Sequence, residues 1–530
     1  MASKLTPLSR FLITILILAI IFFAGKYVLE NTELGKGLVE QSQQEVDQPV
    51  NTSPSSSNSN AGSSGGSTTI DELVVQIFTW GGYAPGLYFN EGAESSDRSR
   101  FTSEYGIKVR FELIDDFDAS RQAWIADQVH LLGNETSAMN TEMERLGPYD
   151  PRVLLQCDWS RGGDAVVVRR GVNSVNDLKG KKVAFAGFTP SVSFLIYMLE
   201  AAGLTMDDIE PVEVPLPTDA ATAFKGGQVD AAVVWSPDDL ACIRAVPGSK
   251  VLQSTRDASH IIADIYMIKD KFVNPNKELL AKFYEGWMKG AAEINANESN
   301  KEKAAKILAE VTGIPVSDAT GAIDNVRLTT HGDNLNFFGQ NTNFKGVTGQ
   351  QLYEKMGTEF EQLGQAPQER PSWRAMAYPA AAVAASLNGA AHRAEGEKEF
   401  APVTEKVKAL PAISSKLASI SFATGQFALD DNAKTIIDLQ FSDIAKTYAN
   451  TRIRIEGNTD NVGGRSMNKE LSLKRAKSVA EYLQSAYGIS KNRFIIIGNG
   501  PDKPVKGCEK NATAECKAKN RRTEFQLVAG

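Results

Sequence analysis

Apolar positions between residues 70 and 385 follow two alternating patterns. Short runs rich in β-branched and aromatic residues predict strands, namely Val74–Trp80, Ile107–Leu113, Ala165–Arg169, Lys182–Phe185 and Ala231–Trp235. Segments between them, such as Val192–Ala202 and Ala220–Phe224, predict helices. Strands that alternate with helices favour an α/β module with parallel sheets and crossover helices.

Residues 413–530 follow a different order. Strands are predicted at Leu417–Phe422, Arg452–Gly457, Arg493–Ile497 and Arg522–Val528, and helices at Asp431–Ala449 and Met467–Tyr487. This β-α-β-α-β-β order predicts an α+β domain in which a pair of helices packs on one sheet. The second helix places Leu471, Val479 and Leu483 toward the core.

The run Phe11–Leu29 is apolar apart from Thr14 and Lys26, and is close to the ~20 residues that span a bilayer. Lys4 and Arg10 precede it, so the short N-terminus is expected to stay in the cytoplasm. We therefore expect a single-pass anchor in a bacterial inner membrane, with the bulk of the chain in the periplasm.

A cleaved signal peptide is the alternative for the same run. Cleavage after Ala24 is disfavoured because Phe22, two residues earlier, is bulky where signal peptidase sites have small residues. Either possibility exports the rest of the chain.

Composition divides the remaining chain. The stretch Gln41–Thr69 is rich in Ser, Gly, Asn and Gln and cannot bury a core. A second boundary, near Asn388–Ala412, contains Gly, Pro and a cluster of charges. We expect a cytoplasmic tip and anchor at 1–35, a disordered linker at 36–69, a large module at 70–385, a linker at 386–412 and a small domain at 413–530.

Charge separates the two modules as well. Residues 413–530 contain 19 Lys and Arg against 12 Asp and Glu, a local charge of +7, whereas the other 412 residues contain 38 against 52, or −14. Such asymmetry indicates different partners, and the acidic large module argues against nucleic acid. The four histidines lie far apart, and no P-loop, G-x-S-x-G or CxxC motif occurs, so we expect no metal, no cofactor and no catalytic residues.

Ligands of open α/β sheets bind beyond the carboxyl ends of the strands. The candidate solute-binding residues are therefore those that follow predicted strands: Trp80, Tyr83, Thr189, Ser191, Ser193 and Trp235. Ser191 can cap the following helix, and a helix start beside hydroxyl groups suits an oxyanion. The alternatives are an ordinary N-cap and core aromatic residues.

The stretches Ser174–Ala184 (SVNDLKGKKVA) and Phe224–Pro237 (FKGGQVDAAVVWSP) resemble periplasmic ABC-transporter substrate-binding proteins of the nitrate/sulfonate/taurine type, a group that includes thiamine-precursor relatives. The resemblance covers roughly residues 72–370. It implies two α/β lobes that close on a small solute by hinge motion and an ABC permease as partner. The acidic stretch Asp115–Asp118 departs from the pattern and leaves the solute's charge open between an oxyanion and a zwitterion.

In the small domain, Asn468 and Arg475 lie two helical turns apart and share one face, and Asp460 lies in the loop that leads to their helix. An acid and an arginine there could hold a zwitterion, with Asp460 on an ammonium group and Arg475 on a carboxylate. An ordinary ion pair is the alternative.

The combination Asn458–Gly463 (NTDNVG), Asn468–Ala476 (NKELSLKRA) and Asn520–Arg522 (NRR) resembles the OmpA-like peptidoglycan-binding domain. This resemblance implies that Asp460 and Arg475 grip the diaminopimelate of the stem peptide. It also implies supporting contacts from Asn468 and Arg521 and a disulfide between Cys508 and Cys516. Whether Cys157 and Cys242 pair cannot be derived from the sequence.

Together these features predict a non-enzymatic, membrane-anchored solute-binding protein that also binds peptidoglycan. A structural alternative is a membrane-to-wall tether whose large module is a spacer or a surface for protein partners. An enzyme on the thiamine-precursor scaffold would need a His-rich catalytic site, which the sequence lacks.

Overall fold

The computed structural model describes residues 68–530 except 419, 421, 423 and 424. The predicted anchor and most of the first linker lie outside the described residues. Within the described part, no helix combines the length and the apolar character needed to cross a bilayer.

The large module consists of two lobes joined by two crossings of the chain. Its strands are β1 (Glu72–Ile77), β2 (Lys108–Leu113), β3 (Leu132–Glu135), β4 (Pro151–Ser160), β5 (Asp164–Val168), β6 (Lys182–Ala186), β7 (Glu210–Val214), β8 (Ala231–Trp235), β9 (Lys250–Ser254), β10 (Ala263–Lys269) and β11 (Val326–Leu328). Lobe 1 contains β1–β4, β10 and β11, and lobe 2 contains β5–β9.

Helices cover both lobes. They are α1 (Ala84–Asn90), α2 (Arg100–Tyr105), α3 (Phe117–Ile125), α4 (Met143–Leu146), α5 (Pro190–Ala201), α6 (Pro217–Lys225), α7 (Asp238–Ala245), α8 (Asp270–Val273), α9 (Lys277–Ala296), α10 (Glu298–Thr312), α11 (Val316–Asp324), α12 (His331–Phe337), α13 (Gly349–Gln362), α14 (Trp373–Met376) and α15 (Ala380–Ala384). The apolar face of α9 carries Phe283 and Trp287, both fully buried against lobe 1.

The sheets are mixed, so the expectation of parallel sheets was only partly right. The pairs β1–β2, β6–β7 and β6–β8 are parallel. The lobe 1 sheet β11-β4-β10-β3 is antiparallel throughout, and β5 pairs antiparallel with both β8 and β9. The antiparallel strands arise where the chain leaves lobe 1 through β4 and β5 and returns through β9 and β10.

The C-terminal domain has one sheet of order β12-β15-β13-β14. Its elements are β12 (Ala412–Ala418), α17 (Asp431–Thr447), β13 (Arg452–Asn458), α18 (Arg465–Tyr487), β14 (Phe494–Gly500), α19 (Ala514–Asn520) and β15 (Thr523–Val528), and α16 (Glu405–Lys408) precedes them. Val479 and Leu483 of α18 are fully buried as predicted, whereas Leu471 is half-buried.

Glycines bring α18 unusually close to the sheet. A Cβ on Gly457 of β13 would lie 2.2 Å from the backbone oxygen of Ser472 on α18. A Cβ on Gly498 of β14 would lie 2.6 Å from the backbone nitrogen of Leu473. The absence of side chains at these two positions therefore sets the distance between helix and sheet.

Two predicted features of this domain were wrong. The first strand begins at Ala412 instead of Leu417, because residues 412–418 are the ones that pair with β15, and Leu417 is 55% exposed. A short helix, α19, separates β14 from β15, and the Thr513 hydroxyl caps it. The predicted disulfide is confirmed, since Cys508 and Cys516 are bonded, while Cys157 and Cys242 are free and buried.

The C-terminal domain packs against both lobes. The side chain of Asn176 in lobe 2 forms two hydrogen bonds of 2.9 Å with the backbone of Ser415. On α13, which packs against residues 138–142 of lobe 1, the Lys355 ammonium group lies 3.7 Å from the carboxylate of Asp443 on α17. A continuous apolar cluster joins the large module to this domain, and it includes the fully buried Tyr448.

Candidate functional site

The two lobes touch each other across the cleft between them. The hydroxyl groups of Ser137 in lobe 1 and Ser193 in lobe 2 lie 2.7 Å apart, and both residues are fully buried. Nearer the crossing strands, the Asn325 side chain donates to the hydroxyl of Ser236 at 3.0 Å. The structure therefore shows the lobes closed.

Two of the three predicted aromatic residues lie at this junction. The Trp80 indole nitrogen donates a hydrogen bond to the Asp158 carboxylate at 3.2 Å. The Trp80 ring also packs directly against the lobe 2 backbone at Gly163, where an added Cβ would lie 2.1 Å from the ring. Trp235, at the end of β8, is half-buried. Tyr83 is only 2% exposed and packs against Tyr266, so most of its ring belongs to the core of lobe 1.

The start of α5 differs from its predicted form. Thr189, and not Ser191, caps the helix, and its hydroxyl accepts the Ser191 backbone N–H at 3.2 Å. Pro190 occupies the first helical position, so the N-cap falls on the residue before it. The Ser191 hydroxyl instead accepts a hydrogen bond from the Trp235 indole at 3.1 Å. The predicted Ser191 and Trp235 are thus brought together.

Four carboxyl groups, three of them buried, lie beside these residues, and the sequence analysis missed them as part of the site. Glu135, Asp158 and Asp164 are at most 5% exposed, and Asp264 is half-buried. Register in the sheet places Asp158 and Glu135 opposite Asp264, and Asp164 opposite Trp235. The only sequence signal for these carboxyl groups is that each lies near the end of a strand. That signal could not be used for Glu135, Asp158 and Asp264, because their strands β3, β4 and β10 were not predicted.

Burial raises the pKa of all four carboxyl groups. The pKa of Asp164 rises to about 7, chiefly through burial and against the hydrogen bond from Ser160 at 2.7 Å. Burial raises the pKa of Asp158 to about 7, and burial together with the neighbouring Asp158 charge raises the pKa of Asp264 well above its usual value. Burial thus favours the neutral form of both groups.

Glu135 is better satisfied than the other three. One of its carboxylate oxygens accepts the Ser137 hydroxyl and two backbone N–H groups, and the other accepts the Ala263 N–H. Burial still raises its pKa. The junction thus combines two indole rings, hydroxyl groups and carboxyl groups that burial holds toward their neutral form, and a ligand with a cationic group would stabilise their charged form.

In the C-terminal domain, three of the four predicted residues lie together. The Arg521 guanidinium forms an ion pair with Asp460 at 2.7 Å. The other oxygen of Asp460 accepts the Val462 N–H at 3.1 Å. Asn468, at the start of α18, donates to the Val462 carbonyl at 3.0 Å and so fixes the loop that carries Asp460.

Arg475 lies further along the same face of α18. Its Nε donates to the Gln426 carbonyl at 3.0 Å, and its guanidinium lies 4.8 Å from the centre of the Phe422 ring. Burial lowers its pKa, and the Asp460 charge opposes that effect while the Arg521 charge adds to it. The Asp460 carboxylate therefore interacts electrostatically with both arginines.

Family models match both parts of the chain. Residues 421–521 match the OmpA family, and residues 163–300 match the NMT1/THI5-like family. The chain joins an NMT1/THI5-like domain to an OmpA domain. Both resemblances inferred from the sequence are confirmed.

Individual relatives match one part each. The putative aliphatic sulfonates-binding protein of Escherichia coli is 31% identical over 160 residues, which is 30% of this chain and 48% of that protein. The peptidoglycan-binding protein ArfA of Mycobacterium bovis is 40% identical over 84 residues, 16% of this chain and 24% of its own length. The chain thus spans about half or less of these relatives.

Among solved structures, the periplasmic aliphatic sulphonate binding protein SsuA from Escherichia coli superposes on 63% of this chain and 97% of its own, with 18% sequence identity and a TM-score of 0.46.

Across residues 68–530, the described side chains include no group of three or more His, Cys, Asp or Glu arranged to hold a metal ion.

Proposed function

We propose that this protein is a periplasmic solute-binding protein, anchored in the inner membrane, whose OmpA domain binds peptidoglycan. The observation that carries the solute-binding part is the closed junction of two lobes, where Trp80 and Trp235 flank buried carboxyl groups and the start of α5. Hinge opening would admit the solute, and an ABC permease would receive it.

The proposed solute is a small zwitterion with an ammonium group and a sulfonate, of which taurine is the simplest example. The relative named as a sulfonates-binding protein supports the sulfonate. The carboxyl groups of Asp158 and Asp264 support the ammonium group, because a bound cation would stabilise the charged form that burial disfavours, whereas a simple oxyanion would gain nothing from it. The start of α5 beside Ser191 is the position for the sulfonate.

Calorimetry with taurine and ethanesulfonate tests this assignment, because ethanesulfonate lacks only the ammonium group. Taurine should bind the wild type more tightly. Asp158→Asn should weaken taurine binding about tenfold or more and leave ethanesulfonate binding unchanged or stronger, since a charged hydrogen bond contributes roughly 1.5–3 kcal/mol. Asp219→Asn, on the exposed side of α6, is the matched control.

Tighter binding of ethanesulfonate than of taurine by the wild type would contradict this assignment and show that the solute is a simple anion.

A second variant, Trp235→Ala, tests the location of the site. It should weaken both ligands, because the indole supports Ser191 and forms one wall. Unchanged binding of both by this variant would place the solute elsewhere.

The OmpA domain is proposed to bind the diaminopimelate-containing stem peptide. The relative named as a peptidoglycan-binding protein supports this role. Asp460 would take the ammonium group of diaminopimelate and Arg475 its carboxylate, and Arg521 and Asn468 would hold Asp460 and its loop in place.

A pull-down on purified sacculi tests the wall site. Asp460→Ala and Arg475→Ala should each weaken binding about tenfold or more, and the double variant should lose less than the sum, because each residue orients the ligand for the other. Arg465→Ala is the control, since this arginine lies on the same helix and pairs with the exposed Asp502. Full retention of a folded double variant on sacculi would exclude the site.

The anchor is proposed from the apolar run Phe11–Leu29. N-terminal sequencing of the native protein should find the run still attached. A mature chain that begins between Ala24 and Thr69 would mean that the protein is released from the membrane.

A tether without a solute is the second candidate function, and one observation favours it. The Ser137 and Ser193 hydroxyl groups are bonded to each other across the closed junction, so neither needs a ligand. Under this proposal the melting temperature of the large module would not rise with any small solute, whereas ligand binding to the native state would raise it.

A further inference from the structure

A groove of about 670 Å³ lies between lobe 1 and the OmpA domain. Residues 336–347 of lobe 1 form one wall, residues 395–400 form the second, and the C-terminal ends of α17 and α18 with Arg493 form the third. Its volume is that of a small-molecule site.

The groove is distinct from both sites already described. It lies at the Tyr487 end of α18, whereas Asn468 and Asp460 lie at the start of that helix. The twenty residues from Asn468 to Gly488 span roughly 30 Å at the rise of an α-helix. A ligand in the groove therefore cannot touch the proposed wall site.

Each wall contributes one lysine that has no carboxylate of the described residues within 4.0 Å. Lys345 comes from lobe 1, Lys398 from the connecting chain and Lys446 from α17. Lys398 donates to the backbone oxygen of Asn450 at 3.1 Å, and Lys446 lies 5.1 Å from the centre of the Tyr487 ring. None of the three forms an ion pair within residues 68–530.

The carboxylates of the groove already have cationic partners. Glu395 is bound by the Arg161 guanidinium at 2.6 Å. Burial lowers the pKa of Arg493 to about 10, and the negative charge of the nearby Glu397 opposes this shift. The three lysines therefore give the groove an excess of positive charge, which Asp257 reduces only at Lys398.

Two buried side chains present hydrogen-bond donors to the groove. Arg493 is 6% exposed and donates through Nε to Thr451 and through Nη2 to Tyr448, which leaves Nη1 without a partner among the described residues. Asn336 is 8% exposed, and its oxygen accepts from Asn341 while its Nδ2 has no partner in the same part of the chain.

Apolar groups complete the surface. The rings of Phe344 and Phe400 and the side chains of Val347 and Ile489 line the groove beside the charged groups. A ligand that fills it must therefore bring both several negative charges and an apolar body.

We infer that this groove binds a small organic polyanion, in which carboxylate groups lie around an aromatic or other apolar body. The three lysines pair with the charges, Arg493 and Asn336 donate hydrogen bonds, and Phe344 and Phe400 cover the body. Because the walls belong to both domains, the bound anion also holds the OmpA domain against lobe 1.

Calorimetry of the full chain with benzene-1,3,5-tricarboxylate tests this inference. The wild type should bind this probe, and binding should weaken as the salt concentration rises. The Lys345→Gln/Lys446→Gln variant should bind roughly three- to tenfold more weakly, since each exposed ion pair makes a modest contribution. The control is Lys434→Gln/Lys477→Gln, which removes two exposed lysines of α17 and α18 outside the groove and should change nothing.

The uncharged analogue 1,3,5-tris(hydroxymethyl)benzene should bind at least tenfold more weakly than the tricarboxylate. Trp235→Ala should leave the probe's affinity unchanged, which separates the groove from the solute cleft. Failure of the wild type to bind the tricarboxylate at 10 mM, equal binding of the uncharged analogue, or equal loss in the control variant would each overturn the inference.

Discussion

At the scale of single residues, the candidate solute site was predicted in part. Trp80, Trp235 and Ser191 were expected beyond the carboxyl ends of strands that the apolar pattern revealed, and they lie at the junction of the lobes. Asp158 and Asp264 were missed, since these lie on antiparallel strands whose pairing depends on distant parts of the chain.

The cap of α5 was missed although the sequence carries a signal for it. Ser191 and Thr189 are both suitable caps, and only the position of Pro190 in the first turn decides between them. In the OmpA domain, the sequence resemblance named Asp460 and Arg521, but their direct ion pair is visible only in the structure.

The raised pKa of Asp164 makes stability depend on pH. Its pKa is about 7 in the folded protein against 3.8 in the unfolded chain, so the unfolded chain releases this proton first as pH rises. Stability should therefore fall between about pH 4 and pH 7. Asp164→Asn should raise the melting temperature at pH 8 by a few degrees, at roughly 2–4 °C per kcal/mol, and change it little at pH 4.

Thermal melts of the wild type and Asp164→Asn at both pH values check this. Asp230→Asn serves as the control, because Asp230 accepts a backbone hydrogen bond from Lys182 at the opposite end of lobe 2's sheet. An equal rise in the melting temperature of Asp164→Asn at pH 4 and pH 8 would show that the burial of a charged Asp164 does not cause the difference in stability.

At the scale of elements, strands with β-branched runs were predicted well, and the ends of β2, β6 and β8 were each predicted to within one residue. Strand β12 was misplaced because its sequence, AISSKLA, has few large apolar residues and is defined by its partner β15. Short strands of this kind are fixed by tertiary pairing and not by local preference.

The contact between α18 and its sheet should not tolerate a side chain at Gly457. A Cβ there would lie 2.2 Å from the Ser472 carbonyl oxygen, which belongs to the backbone and cannot rotate away. Gly457→Ala should destabilise the OmpA domain by about 1–3 kcal/mol in denaturant titration. Gly464→Ala, where no atom lies within 4 Å, should cost no more than about 1 kcal/mol, because its only penalty is the poorer N-cap that Ala offers α18.

The Cys508–Cys516 disulfide should stabilise the same domain. It closes a short loop before β15, and restricting such a loop in the unfolded chain is worth roughly 2–3 kcal/mol. The Cys508→Ser/Cys516→Ser variant should lose this amount in denaturant unfolding. Reductant should destabilise the wild type similarly and leave the variant unaffected, since Cys157 and Cys242 are free thiols; equal sensitivity of both would contradict the assignment.

At the scale of the whole molecule, composition and motifs identified both modules, because each carries local signals that do not depend on the other. The contact between them was not predictable. It rests on pairs such as Asn176 with Ser415 and Lys355 with Asp443, which lie far apart in the sequence and follow no motif. The groove between the modules is a product of that contact.

The central claim is that one chain binds a small zwitterion and the cell wall at separate sites. The most direct measurement is the amount of radiolabelled taurine retained on washed sacculi that carry the full chain. The wild type should retain taurine in proportion to bound protein. Trp235→Ala should leave the protein on the sacculi without taurine, and Asp460→Ala/Arg475→Ala should remove both from the sacculi. Wild-type protein that stays on the sacculi and retains no taurine would contradict the account.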